Sequence, residues 1–239
     1  MRISNHLSRR EFVRLTGLTA GVACSALAVT GRATDEEPMQ CDLDSVLARL
    51  LEGNDRFASG RPIHPRRKPE DFQPLAEGQA PLAVVIGCAD ARVAPELILD
   101  EGVGELFVVR VAGNVVSGGG ASVKGSVEYA VAELGVRLIM VLGHSNCGAV
   151  KAALKYIDAK DVLPGSIGDL VDTIRPAAAG VKNKPPGEAL DIAIQRNVQR
   201  GVERLNTLPP IVADGVKKGN VKVVGAVYDL HSGKVKVLG

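Results

Sequence analysis

Cys88, Asp90 and Arg92 stand at alternate positions in "IGCADARV" (86–93), where an apolar run ends. His144 and Cys147 stand in "GHSNCGA" (143–149), where another run ends. Thiolates and imidazoles bind metals. His-x-x-Cys places two ligands on one loop, and a remote Cys can add a third. Two sulfurs and one nitrogen are zinc donors, and three protein ligands leave a fourth tetrahedral position for chemistry. A structural zinc more often draws a fourth Cys or His from a close pair, and none is evident here. Cys88 alone would read as buried filler, since free Cys is among the most buried residue types. Two such clusters at matched strand ends read instead as a metal site.

The elements that must position them follow from the apolar pattern. Residues 82–87, 106–111, 138–142 and 221–228 read as strands buried on both faces, with helical spacing between them. One helical pattern carries Val123, Val127, Val131 and Leu134. A second runs from Gly148 through Tyr156, and a third, after Pro186, carries Ile194, Val198, Val202 and Leu205. Asp42 or Asp44 can cap a helix with Leu43, Val46, Leu47, Leu50, Leu51 and Phe57 on one face. Residues 60–81, rich in Pro and charge, read as an extended arm. His231-Ser232-Gly233 reads as a turn into a short strand, 234–238, antiparallel to 221–228. The expected fold is α/β: a mostly parallel central sheet with flanking helices, an antiparallel C-terminal edge strand and an N-terminal helical arm. In such sheets ligands bind beyond the carboxyl ends of the strands. Cys88, His144 and Cys147 converge there if their strands are neighbours.

The 239 residues are 46% apolar and 23% charged, with net charge +2, enough for one large core. Aromatics are 3% with no Trp, which together with the balanced charge argues against nucleic acid as a partner. No apolar stretch after residue 40 approaches the ~20 residues of a membrane span. Gly118-Gly119-Gly120 lacks the context of a phosphate loop and reads as a turn. Ser8-Arg9-Arg10-Glu11-Phe12 resembles a twin-arginine export signal. A mildly apolar stretch, Leu15 to Val29, follows it, then a small-residue exit at Gly31-Arg32-Ala33. The expected division is a leader over 1–33, a helix and arm over 34–81 and a zinc-binding domain over 82–239, with the mature chain periplasmic or extracellular. Of Cys24, Cys41, Cys88 and Cys147, three remain after the leader, too few for a disulfide framework in a chain this long. A folded chain exported whole could take its zinc in the cytoplasm.

Cys88-Ala89-Asp90-Ala91-Arg92 with His144-Ser145-Asn146-Cys147-Gly148 resembles the β-class carbonic anhydrases. The likeness extends through Gly53-Asn54, "FVVRVAGN" (107–114), "GSVEYAVAELGV" (125–136) and "VVGAVYDLHSGKV" (223–235). It implies one zinc per chain on Cys88, His144 and Cys147, and reversible hydration of carbon dioxide to bicarbonate and a proton by zinc-bound hydroxide. Lowering the pKa of water from 15.7 to about 7 is worth roughly 12 kcal/mol of hydroxide stabilisation. Two thiolates neutralise the metal and weaken it as an acid. Asp90 can compensate by accepting a hydrogen bond from the hydroxide, with Arg92 holding it ionised.

In some family members the aspartate matching Asp90 takes the fourth metal position itself. The resemblance also implies substrate contacts from Gln79, the backbone N–H of Gly148, and Phe107 and Tyr129 lining an apolar pocket. Val111 departs from the commoner polar residue after the Arg of "FVVRVAGN". His64 and His231 read as surface or turn residues, and no histidine stands out as a proton shuttle. Family members are dimers or higher assemblies with the active site at the interface. The helix from Asp42 shows no packing partner of its own and suits clasping a neighbour. Gln79, Phe107 and Tyr129 would then serve a neighbour's zinc as well as, or instead of, their own. Two alternatives remain: a zinc hydrolase acting on carbon disulfide or carbonyl sulfide, and a non-catalytic zinc-dependent binding protein. The intact Asp90–Arg92 pair argues against the second.

Overall fold

A computed structural model describes residues 43–157, 163–181 and 183–239. The expected leader, Cys24, Cys41 and Asp42 lie outside these described residues. The strands are β1 (Ala83–Cys88), β2 (Leu106–Val111), β3 (Leu138–His144), β4 (Lys222–Tyr228) and β5 (Val235–Val237). They form one sheet in the order β2-β1-β3-β4-β5, parallel except for the antiparallel β4–β5 pair. The helices are α1 (Leu43–Ala58), α2 (Pro95–Ile98), α3 (Gly120–Ala132), α4 (Gly148–Lys155), α5 (Ile167–Ala178), α6 (Pro186–Asn206) and α7 (Ile211–Lys217). No helix among the described residues is long and apolar enough to cross a membrane.

Alternation along the strands divides the core. Val84 and Ile86 of β1, with Ile139 and Val141 of β3, face α3, α6 and α7. Ala83, Val85, Leu138, Met140 and Leu142 face α1 and α2 on the other side. Each fully buried Val, Leu or Ile contributes about 1.5–3 kcal/mol by leaving water. From β1 the chain goes to β2 on one side and returns to β3 on the other, so strand order reverses between β1 and β3. Their carboxyl ends therefore flank the crevice where such sheets bind ligands. A third apolar cluster, from α4, α5 and α6, closes over that end and includes both Cys88 and Cys147.

Three sequence expectations need correction. Residues 106–111 are not buried on both faces: β2 is the sheet edge, its residues are only partly buried and Arg110 is exposed. The pattern of apolar residues gives no strand order, so it could not reveal the missing neighbour. Helix α1 does pack on its own chain. Leu50 is fully buried, Asn54 hydrogen-bonds the carbonyls of Ile98 and Gly233, and Arg49 and Arg56 pair with Glu101 and Asp100. Asp44 stands inside the first turn of α1 and pairs with Lys222, so it is not the cap. The apolar spacing does not predict α2, α5 or α7; Pro176 near the end of α5 looks like a breaker in sequence.

Candidate metal centre

β1 and β3 run parallel with Gly87 beside Leu142, so Cys88 and His144 emerge together at the carboxyl edge. Asn146 takes a left-handed turn (φ 58°), which a short polar side chain tolerates, and Cys147 then stands at the N-cap of α4. Ligand atoms of Cys88, His144 and Cys147 all lie within 4.8 Å of one another, and the three residues are 5%, 0% and 1% exposed. His144 Nδ1 donates to the Ser145 carbonyl at 2.9 Å, which leaves Nε2 as the lone-pair nitrogen. That Nε2 is buried and has no hydrogen-bond partner. An orphaned buried nitrogen costs about 1–3 kcal/mol unless something takes its lone pair. Two sulfurs and this nitrogen fit zinc in donor type.

The Ser145 hydroxyl donates to Asp229 at 3.1 Å and accepts from the Leu230 N–H at 2.9 Å, tying the His144 turn to the end of β4. The Ser232 hydroxyl, the His231 N–H and the Ser145 hydroxyl lower the Asp229 carboxyl to about 2. The neighbouring Cys147, with the His144 ring and the Gly113 N–H beside it, holds the Cys88 thiol below the ordinary thiol range against burial. Cys147 is pushed up by Cys88 and by burial. Without a cation the pair favours one negative charge; a bound cation favours both.

Asp90 opens the turn after β1, where its own carbonyl accepts from the Val93 N–H at 3.0 Å. Its Oδ1 accepts from the Arg92 N–H at 3.0 Å and Nε at 2.9 Å, and its Oδ2 from Nη2 at 2.7 Å. These bonds to Arg92 hold the Asp90 carboxyl well below the usual carboxylate range. Oδ2 lies 3.9 Å from His144 Nε2, at the mouth of the cluster. Gly148, at the first turn of α4, is exposed, and a Cβ there would meet nothing within 4 Å. Its backbone faces open space beside Cys147.

The other expected substrate contacts do not converge on this cluster. Phe107 and Tyr129 pack against each other at a tilt of 37°, ring centroids 6.3 Å apart, and Tyr129 is half exposed. Phe107 is in register with Val84, roughly 13 Å along the sheet from the Cys88 end. Gln79 is exposed on the arm and forms no hydrogen bond among the described residues.

Three residues that sequence reasoning passed over do reach the cluster. Arg110 Nε donates to the Cys88 carbonyl at 3.0 Å and Nη2 to the Asp90 carbonyl at 2.6 Å. The Gly113 N–H donates to Cys88 Sγ at 3.2 Å. Asn197 Nδ2 of α6 donates to the Gly113 carbonyl at 2.8 Å. Only Asn197 left a signal: it is a polar residue between Ile194 and Val198 on the apolar stripe of its helix.

The carbonic anhydrase family model matches residues 83–235. Carbonic anhydrase 2 of Mycobacterium tuberculosis (strain H37Rv) is 41% identical over 185 residues, covering 77% of this chain and 87% of that protein. Among solved structures, the β-carbonic anhydrase CcaA is similar with a TM-score of 0.65 and 30% identity, over 81% of this chain and 95% of that one. A tetrameric β-carbonic anhydrase from the filamentous ascomycete Sordaria macrospora has the same TM-score at 28% identity, over 82% and 98%. The matched span contains β1 to β4, the first residue of β5 and every residue of the buried cluster. This chain belongs to the carbonic anhydrase family, in its β class.

Proposed function

We propose that the chain catalyses reversible hydration of carbon dioxide to bicarbonate and a proton, with one zinc ion held by Cys88, His144 and Cys147. The observation that carries this is the buried, unpartnered Nε2 of His144 facing two cysteine sulfurs. Zinc, when bound there, supplies the Lewis acidity that makes water a nucleophile near neutral pH. Asp90 presents an ionised carboxylate at the mouth of the cluster, where it accepts a hydrogen bond from the attacking water and aims its lone pair at the substrate carbon. Arg92 keeps that carboxylate charged and in place. The N–H of Gly148, one of the unsatisfied donors of a helix start, is offered to a substrate oxygen. Burial of both sulfurs and the imidazole keeps solvent off the back of the cluster.

Phe107, Tyr129 and Gln79 act on a partner's substrate in a homodimer or larger assembly, because their positions set them apart from their own cluster. The Sordaria macrospora relative is a tetramer, which supports an assembled form. Residues 1–33 serve as the export leader, 34–81 as helix and arm, and 82–239 as the catalytic domain of a mature periplasmic or extracellular chain. Replacing Arg9 and Arg10 with Lys should abolish export, read by fractionation.

Stopped-flow hydration with a pH indicator tests the activity. The zinc-loaded chain should hydrate carbon dioxide, and His144→Ala should not. A zinc-loaded chain that consumes carbon disulfide yet leaves carbon dioxide unhydrated would overturn the assignment.

A further inference from the structure

We propose that Asn197 is a positioning residue of the metal centre, acting through the backbone of Gly113 on the Cys88 sulfur. The inference rests on the zinc reading above. Asn197 is 6% exposed on the face of α6 that otherwise buries Ala193, Ile194, Val198 and Gly201. A polar side chain at such a place costs stability unless it is hydrogen-bonded. Its Nδ2 donates at 2.8 Å to the carbonyl of Gly113, a residue 84 positions away. The N–H of the same Gly113 donates at 3.2 Å to Cys88 Sγ. The N–H and carbonyl of Gly113 belong to successive peptide planes joined at its Cα, so with φ held at +71° the Asn197 amide anchors one side of the residue whose N–H meets a ligand sulfur.

The surroundings leave no room for a side chain at Gly113. Its φ is +71°, and a Cβ there would lie 2.6 Å from Ile174 Cδ1 and 3.1 Å from Ala149 Cβ. Helix α6 comes close enough to reach it because Val198 sits over two glycines. A Cβ at Gly143 or Gly225 would lie 2.5 or 2.8 Å from Val198. Sheet, helix and loop are thus pressed together where Asn197 meets the Gly113 carbonyl.

The chemistry gives this chain of bonds a use. A hydrogen bond to a thiolate draws charge from the sulfur, which then donates less to a cation. In a centre with two thiolates, that leaves the cation more acidic. Fixing Cys88 Sγ also keeps the three ligand atoms within 4.8 Å of one another before the ion arrives.

The test uses the full chain loaded with zinc or with cobalt(II). In Asn197→Leu, which keeps the branched shape and removes the donor, zinc affinity measured against a chelator should fall by about tenfold to a hundredfold. The sulfur-to-cobalt charge-transfer band should move to lower energy. Val198→Ala, a core change on the same helix, should lower stability and leave the band where it was. If Asn197→Leu fails to fold, the wild-type chain loaded with cadmium-113 still decides: the Gly113 amide should show spin coupling to cadmium across the N–H···S bond. An unmoved band and unchanged affinity, or an uncoupled Gly113 amide, would overturn the proposal while leaving the metal centre intact. A wild-type chain that binds no metal would overturn the zinc reading itself.

Discussion

The Arg92 guanidinium grips both carboxylate oxygens of Asp90, Nε to Oδ1 at 2.9 Å and Nη2 to Oδ2 at 2.7 Å. The two side chains differ in exposure: that of Arg92 is 57% exposed and that of Asp90 18%. The arginine thus reaches in from solvent and holds a mostly covered carboxylate at the edge of a buried cluster. A fork of two parallel bonds fixes direction as well as charge, which a point charge would not.

Asp90→Ala should keep its metal, because the three buried ligands remain. Hydration should fall by at least about tenfold with the loss of the oriented acceptor. Metal content and stopped-flow hydration of the same preparation check this. Full activity would remove the orienting role assigned to Asp90.

Arg92→Ala frees a carboxylate whose Oδ2 stands 3.9 Å from His144 Nε2. The freed group should turn into the position the nucleophile needs, so activity should also fall by at least about tenfold. The double variant Asp90→Ala with Arg92→Ala should lose no more than Asp90→Ala alone, since the arginine acts through the aspartate. Additive losses across this cycle would show that Arg92 has a separate function.

Asp100 gives a pH-dependent prediction away from the cluster. Burial opposes its ionisation, but Arg56 Nε at 2.8 Å and the N–H groups of Ile63 and His64 at 2.9 and 3.0 Å outweigh it. Its carboxyl is therefore lower in the folded chain than in the unfolded one, where it is about 3.9. That contribution is complete above the unfolded value and is lost as pH falls through the folded one. Asp100→Asn, which suits the left-handed φ of 46°, should cost about 2–3 kcal/mol at pH 7. Urea unfolding should show the gap between variant and wild type narrowing below about pH 4. A gap that stays constant would contradict the account.

Gly53 in α1 separates two opposed effects. Alanine favours a helix over glycine by about 1 kcal/mol. A Cβ at this position, however, would lie 1.9 Å from the backbone oxygen of Leu99, which cannot swing aside. Overpacking of this kind costs about 1–3 kcal/mol, so Gly53→Ala should lower stability on balance. Thermal or urea unfolding decides it, and a stabilised variant would mean that α1 sits further from α2.

Much of the architecture was legible in the chain. Apolar runs alternating with helical spacing gave the parallel sheet, and cysteine and histidine at two strand ends gave the buried cluster. Strand order was not legible, because β-branched runs look alike at an edge and at a centre until Arg110 is seen facing solvent. Gln79, Phe107 and Tyr129 came from the family resemblance rather than from spacing, and register sets Phe107 beside Val84, far from Cys88 of its own chain. Arg110, Gly113 and Asn197 were missed because they act through backbone carbonyls and amides, which carry no trace of residue type. Asn197 was the exception, an amide in an apolar stripe, and its partner 84 residues away became visible only in the fold.

The most direct test of the central claim is zinc content per chain by mass spectrometry, with wild type and His144→Ala purified side by side. The account predicts about one zinc per chain in the wild type and almost none in the variant, in which the two sulfurs lose their nitrogen partner. Equal zinc in both, or none in either, would contradict it.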